Sequence, residues 1–127
     1  MSRIVLIDDE RILNETLKDL IELMGYEVLS FYSFEEAVKS TDFNDIELIL
    51  CDVGLPGENV FELLTSFKDK YNIPFVLLSA FSTDDYIQKA YESGADKYLV
   101  KPVSIEMLRE TFIEFLPVED DKENTTH

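Results

Sequence analysis

Three apolar runs, Ile4-Val5-Leu6-Ile7, Leu48-Ile49-Leu50-Cys51 and Phe75-Val76-Leu77-Leu78, lack alternating polar positions and stop abruptly on Asp8-Asp9, Asp52 and Ser79. Runs of this kind suit strands covered on both faces, as in a parallel sheet whose strands are joined through helices. A fourth, shorter run, Tyr98-Leu99-Val100, stops on Lys101-Pro102. In open α/β sheets, ligands bind beyond the carboxyl ends of the strands. The polar residues that end these runs are therefore expected to converge on one sheet edge. Three carboxylates, a hydroxyl and an ammonium gathered there suit a divalent metal and a phosphoryl group.

The segments between the runs read as helices. The spacing predicts a first helix over 11–24, with Ile12, Leu13, Thr16, Leu17, Leu20, Ile21 and Met24 on a broad apolar face and Gly25 as its stop. A second strand is expected over 27–31. Ser33 then caps a second helix, with Glu36 completing a capping box. Asn44-Asp45 marks a loop before the third strand, and Gly54-Leu55-Pro56-Gly57 a turn after it. A third helix is predicted over 58–70, with Phe61, Leu64 and Phe67 on one face. A fourth is predicted over 84–93, closed by Gly94. The fifth starts from Ser104 as N-cap and runs to about Phe115, with a core stripe of Ile105, Leu108, Phe112 and Phe115. Ile113 and Leu116 fall off that stripe and read as an exposed contact patch. Five βα units imply a doubly wound three-layer α/β sandwich.

With 127 residues, the chain is long enough for one domain with a real core, and 46% hydrophobic against 30% charged residues marks it as globular. The domain is expected over 1–117, with 118–127 as an acidic flexible tail. The net charge of −16 argues against direct binding of nucleic acid or anionic membranes, since phosphates would be repelled. No apolar run approaches the ~20 residues of a membrane span, and Asp8-Asp9 interrupts the first run too early for a signal peptide. Cys51 is the single cysteine, so no intrachain disulfide can form and a cytoplasmic location fits. It reads as a small buried hydrophobe.

A cluster of carboxylates repels itself unless a cation sits among them. Mg2+ suits such a cluster because it is hard, seeks oxygen, and needs only one or two carboxylates beside waters and phosphate oxygens. Lys101 supplies a point charge for a phosphoryl oxygen, Ser79 a hydroxyl, and a carboxylate can act as the nucleophile.

These stretches resemble the response regulator receiver domain over Arg3 to Leu116. The resemblance is carried by Ile4-Val5-Leu6-Ile7-Asp8-Asp9-Glu10, Cys51-Asp52-Val53-Gly54-Leu55-Pro56-Gly57, Leu77-Leu78-Ser79-Ala80 and Gly94-Ala95-Asp96-Lys97-Tyr98-Leu99-Val100-Lys101-Pro102. It implies a flavodoxin-like fold with parallel sheet order 2-1-3-4-5. It also implies Asp52 as phosphoacceptor, with Mg2+ (or Mn2+ as substitute) held by Asp9 directly, Asp8 chiefly through water, Asp52, and the Gly54 carbonyl. Ser79 corresponds to the switch hydroxyl, the Ala80 amide and Lys101 to the phosphoryl contacts, Pro102 to a cis proline, and Tyr98 to an aromatic that turns inward on activation. Two positions are less typical, Gly54 and Phe81. In the family, these positions tune how fast water attacks the acyl phosphate.

The implied partners are a sensor histidine kinase or histidine phosphotransfer protein and a downstream protein target, with the chain a monomer or a phosphorylation-dependent dimer. On this reading the chain is a phosphoacceptor rather than an enzyme acting on other molecules. It is either a stand-alone receiver, the preferred expectation, or a module cut from a longer regulator. A degenerate receiver acting purely as an interaction module is disfavoured, because no matched residue is missing. An aspartyl-phosphate phosphatase would need Asp-x-Asp after the first strand, and a flavodoxin would need a phosphate loop rich in Ser, Thr and Gly. The adjacent pair followed by Glu10-Arg11 fits neither.

Overall fold

A computed structural model describes residues 2–117 of the chain. The elements alternate as β1 (Arg3–Ile7), α1 (Arg11–Leu23), β2 (Glu27–Phe31), α2 (Phe34–Ser40), a 3-10 turn (Phe43–Asp45), β3 (Leu48–Asp52), α3 (Val60–Lys70), β4 (Phe75–Ser79), α4 (Asp84–Glu92), β5 (Lys97–Val100) and α5 (Ile105–Phe115). All strand pairs are parallel, in the order β2-β1-β3-β4-β5, the flavodoxin-like order that the resemblance to receiver domains implied. The predicted tail over 118–127 lies outside the described residues.

The unbroken apolar runs are explained by two cores. Alternate residues Val5, Ile7, Ile49, Cys51, Phe75 and Leu77 face α2, α3 and α4, where Phe34, Ala37, Leu64, Phe67 and Ala90 cover them. The intervening Ile4, Leu6, Leu48, Leu50, Val76 and Leu78 face α1 and α5, under Leu17, Ile21, Leu108 and Phe112. A one-residue slip would exchange the two sets, so each strand's register is held by packing on both sides.

The helix ends follow local chemistry. Gly25 takes φ 101° after α1, and Gly94 takes φ 116° after α4, conformations that a Cβ disfavours. Ser104 accepts from the Met107 N–H at 3.1 Å and starts α5 where predicted. At α2 the arrangement differs from a simple capping box. Ser33 does accept from the Glu36 N–H, but the Glu36 carboxylate takes the Tyr32 N–H, one residue before the cap. Glu58 was predicted to begin the third helix. It lies ahead of α3 instead, and its carboxylate accepts from the Phe34 and Glu35 N–H groups at 2.8 and 3.0 Å. Negative charge at a helix N-terminus is favourable, so Glu58 serves α2 across the loop.

Four helical-face expectations are corrected; the first is Thr16, expected on the apolar face of α1 and exposed. Ile12 is 82% exposed, because it lies about 140° around α1 from Leu17 at the centre of the buried face. Ile105, expected in the α5 core stripe, is 43% exposed in the first turn of that helix. Leu116, expected to be exposed, is only 6% exposed. Leu116 follows Phe112 by four residues and Leu108 by eight, a spacing that belongs to the core face, and although it is extended just past the helix, with φ −106° and ψ 148°, its side chain packs onto the α1–α5 core. Ile113 is exposed as expected.

Candidate functional site

Register decides which residues meet. Ile7 pairs with Cys51, so Asp8 and Asp52 sit level at the ends of adjacent strands. Asp52 pairs with Leu78, and Ser79 with Val100, so Ser79 and Lys101 each extend one step farther across the edge. The Lys101 N–H donates to the Ser79 carbonyl at 2.8 Å, carrying the end of β5 over that of β4. The Lys101–Pro102 peptide is cis.

One carboxylate oxygen from each of Asp8, Asp9 and Asp52 lies within 4.8 Å of the others. Asp8 and Asp52 are buried and Asp9 is half-buried. Lys101 Nζ lies 3.0 Å from Asp8 Oδ2, 3.2 Å from Asp52 Oδ1 and 3.3 Å from Glu10 Oε1. Among the described residues, it is the one cation paired with this cluster.

The electrostatics follow from that imbalance. Burial raises the Asp52 carboxyl above the usual carboxylate range, with the Asp8 charge adding to the effect. The Lys101 charge, its hydrogen bond and the Gly54 backbone N–H pull in the opposite direction without overcoming it. Lys101 is subject to the reverse balance. Burial pushes its ammonium down, but the hydrogen bond to Asp8, followed by the Asp52 and Asp8 charges, raises it overall. The site thus carries more negative charge than its lysine neutralises. Hard oxygen donors with a surplus of charge fit Mg2+.

The remaining sequence-predicted residues surround this cluster. Gly54 is exposed, and a Cβ built there would lie 3.6 Å from Asp52 Oδ2, so any side chain at this position would overhang the carboxylate. Ser79 is buried, and its hydroxyl accepts from the Phe81 N–H at 3.0 Å. Ala80 is exposed at the end of β4. The Tyr98 ring is on the inside in this structure, with its hydroxyl donating to the Phe81 carbonyl at 2.8 Å and its ring 6.4 Å from that of Tyr86. Phe81 is largely exposed and packs on Tyr86 instead of lying over the carboxylates. Cys51 is fully buried, and burial, followed by the Asp52, Glu58 and Asp8 charges, pushes its thiol well up, so it stays protonated and inert.

Two residues near the site escaped the sequence reading. Glu10 shares Lys101, as above, and its backbone N–H donates to Asp8 Oδ1 at 3.0 Å. Asn14 is fully buried between α1 and the strand ends. Its signal was in the periodicity: Asn14, Leu17 and Ile21 follow a 3-4 helical spacing, which places a polar residue on the buried face.

A model of the response regulator receiver domain matches residues 4–113. The chain belongs to this family. The receiver domain is 34% identical over 102 residues to the transcriptional regulatory protein CpxR of Escherichia coli K12, covering 80% of this chain and 44% of that protein. It is 31% identical over 108 residues to the transcriptional regulatory protein CrdR of Helicobacter pylori, covering 84% of this chain and 51% of that protein. The chain thus spans about half the length of these curated relatives. A two-component response regulator from Clostridium difficile superposes with a TM-score of 0.85 at 27% identity, covering 91% of this chain and 96% of that one. Receiver domains are signalling modules that bind Mg2+ at an acidic pocket, and response regulators take phosphate from histidine kinases. No described helix is long and apolar enough to cross a membrane.

Proposed function

We propose that this receiver accepts a phosphoryl group on Asp52 from a phosphohistidine of a sensor kinase or phosphotransfer protein, and signals by rearranging its α4–β5–α5 face toward a protein target. The observation that carries this reading is the convergence of Asp8, Asp9 and Asp52 beside the single ammonium of Lys101 at the carboxyl edge of the sheet. Asp52 attacks phosphorus through a carboxylate oxygen. The P–N bond breaks, and its electron pair and a proton remain with the departing imidazole. Asp9, Asp52 and the Gly54 carbonyl would hold Mg2+ directly, with Asp8 chiefly acting through water. When bound, the metal neutralises charge on the transferring group. Lys101 would turn one N–H from the Asp52 oxygen to a phosphoryl oxygen, while Ser79 and the Ala80 N–H supply the remaining donors. Gly54 leaves the approach to Asp52 open, and Phe81, turned onto Tyr86, does not close it.

Acetyl phosphate tests this reading. With Mg2+ or Mn2+ present, the chain should gain one phosphoryl adduct by intact mass; with chelator it should gain none. An adduct of equal yield in chelator would remove the metal from the scheme.

The Asp9 carboxylate has no hydrogen-bond or ion-pair partner among the described residues, so its charge in the metal-free fold is uncompensated. Asp9→Ala should therefore melt slightly above the wild type without metal. Wild type should gain about 1.4 kcal/mol at Mg2+ ten times above its dissociation constant, which is roughly 5 °C in a domain of this size. Asp9→Ala should lose that gain; thermal melts with and without Mg2+ read both effects, and a variant still stabilised like wild type would contradict the ligand role.

The switch has its own test. Drawing the Ser79 hydroxyl toward a phosphoryl group breaks its bond from the Phe81 N–H, and the Phe81 carbonyl is what holds Tyr98. Beryllium fluoride with Mg2+ should thus shift amide resonances across α4 and β5, well outside the metal shell. Ser79→Ala should keep the adduct on Asp52 but lose most of those distant shifts. Shifts limited to residues around Asp52 in the wild type would show that nothing propagates.

A further inference from the structure

The acidic pair is placed by a turn that has no regular secondary structure of its own. β1 ends at Ile7 and α1 begins at Arg11, leaving Asp8, Asp9 and Glu10 to change direction between them. At this edge the strand ladder makes its last bond, from the Asp8 N–H to Phe31 O at 3.1 Å, and the carbonyls of Asp8 and Phe31, at the ends of β1 and β2, both accept from one side chain. Asn14 Nδ2 donates to Asp8 O at 2.9 Å and to Phe31 O at 2.9 Å. The amide group has two N–H donors, and both are used. Reversing it would set Oδ1 against two carbonyl oxygens, so the orientation is chemically determined. Asn14 Oδ1 itself is buried without a partner among the described residues, an uncompensated loss that those two bonds must outweigh.

We propose that Asn14 is a positioning residue of the acidic site, orienting the Asp8–Asp9 peptide so that both carboxylates point into the cluster with Asp52. The inference rests on reading Asp8 and Asp9 as the metal-binding pair. The Asp8 carbonyl belongs to the peptide plane that leads into Asp9. Holding that oxygen fixes the plane and the place of the Asp9 Cα at its end; the bond from the Asn14 N–H to Glu10 O restrains the chain beyond Asp9, and the two together limit the direction in which the Asp9 Cα–Cβ bond leaves the chain. Nothing else described holds the Asp9 side chain. Asn14 is itself anchored, because its N–H makes the first helical bond of α1, to Glu10 O at 2.8 Å. The turn is thus clamped at its β2 side, in its middle and at its helical end by a single residue. Asn14→Leu matches the volume but leaves the buried Asp8 carbonyl without a donor and the Phe31 carbonyl with the Asp8 N–H alone, while Asn14→Thr keeps one side-chain donor.

Isothermal titration of Mg2+ into folded wild type, Asn14→Leu and Asn14→Thr tests the proposal, with Leu17→Ala as a control. Leu17 lies one turn along the same buried face and has no part in the Asp8 turn. Asn14→Leu should bind Mg2+ about 10- to 100-fold more weakly, the usual effect of removing a group that orients metal ligands. Asn14→Thr should lose less. Leu17→Ala should lower the melting temperature and leave the affinity of the folded chain within twofold. In metal-free protein, the Glu10 amide, which donates to Asp8 Oδ1, should exchange faster in Asn14→Leu than in Leu17→Ala. Affinity and Glu10 exchange both matching wild type in Asn14→Leu would overturn the proposal, and if that variant does not fold, the same result in Asn14→Thr would do so. Wild type that binds no Mg2+ would instead overturn the metal-site reading, and the Glu10 exchange would still decide whether Asn14 orders the turn.

Discussion

Asp52→Asn should abolish the acetyl phosphate adduct while making the metal-free fold more stable. The two effects have one cause. Asp52 carries the nucleophilic oxygen, and an amide oxygen in its place accepts no phosphoryl group under the same conditions. Yet the folded chain disfavours the ionised carboxylate, chiefly because it is buried and secondly because Asp8 lies beside it, and the pairing with Lys101 does not fully compensate. A neutral side chain of the same shape removes that cost. A gain of about 1 kcal/mol, or roughly 4 °C in the melt, is the expected size. The sign with pH follows. The folded pKa of Asp52 lies above its unfolded value, so at high pH the ionised group costs stability. As the pH falls through the raised value, the folded chain takes the proton first and the cost is relieved. Melts of wild type and Asp52→Asn should therefore converge on acidification and separate again near neutrality. A full-yield adduct on Asp52→Asn, located by peptide mass spectrometry, would place the acceptor elsewhere. A variant less stable than wild type near neutral pH would show that the lysine pairing outweighs burial.

Lys101→Met should have the opposite effect and a larger one. Lys101 is the one described cation against two buried carboxylates, and its side chain is itself largely buried. Removing it leaves Asp8 and Asp52 uncompensated at 0 and 9% side-chain exposure. Breaking a buried pair from one side costs about 3–5 kcal/mol. The site opens to solvent at the sheet edge, so about 3 kcal/mol, or roughly 10 °C, is expected here. Mg2+ should restore much of this loss, since it supplies the missing positive charge to the same oxygens. The wild-type lysine has a raised pKa, so its contribution is fully present below the ordinary lysine value. It fades only as the pH rises through the folded one. Chemical denaturation of both proteins at neutral pH, with and without Mg2+, measures each part. A loss under 1 kcal/mol, or one untouched by Mg2+, would mean the lysine is solvated and not the counter-charge of the cluster.

The two variants act on one electrostatic balance from opposite sides, which makes their combination informative. In Asp52→Asn/Lys101→Met, only Asp8 of the buried pair remains charged. The two residues are in contact, so their effects should not add. The double variant should be more stable than Lys101→Met alone.

Much of this protein was legible in its sequence. The apolar runs at Ile4–Ile7, Leu48–Cys51 and Phe75–Leu78 fall in three of the five strands, because a strand covered on both faces has no reason to alternate. Gly25, Gly94 and Ser104 marked helix ends, because the chemistry of a helix terminus is local. Asp8, Asp9, Asp52 and Lys101 were named together because each follows a run, and parallel strands place all their carboxyl ends on one edge. Tertiary structure alone decided the rest. The strand register brought Asp8 level with Asp52 and carried Lys101 back to both, a contact across 93 residues that no local pattern encodes. Ile105 was exposed in the first turn of α5, although its spacing put it in the core stripe. Glu58 joined the N-terminus of a helix 24 residues away, and Asn14 took its two carbonyls from neighbouring strand ends. Sequence periodicity reports which face of an element is covered. Which partner covers it, and which charges are left to neutralise one another there, depends on contacts between elements distant in the chain.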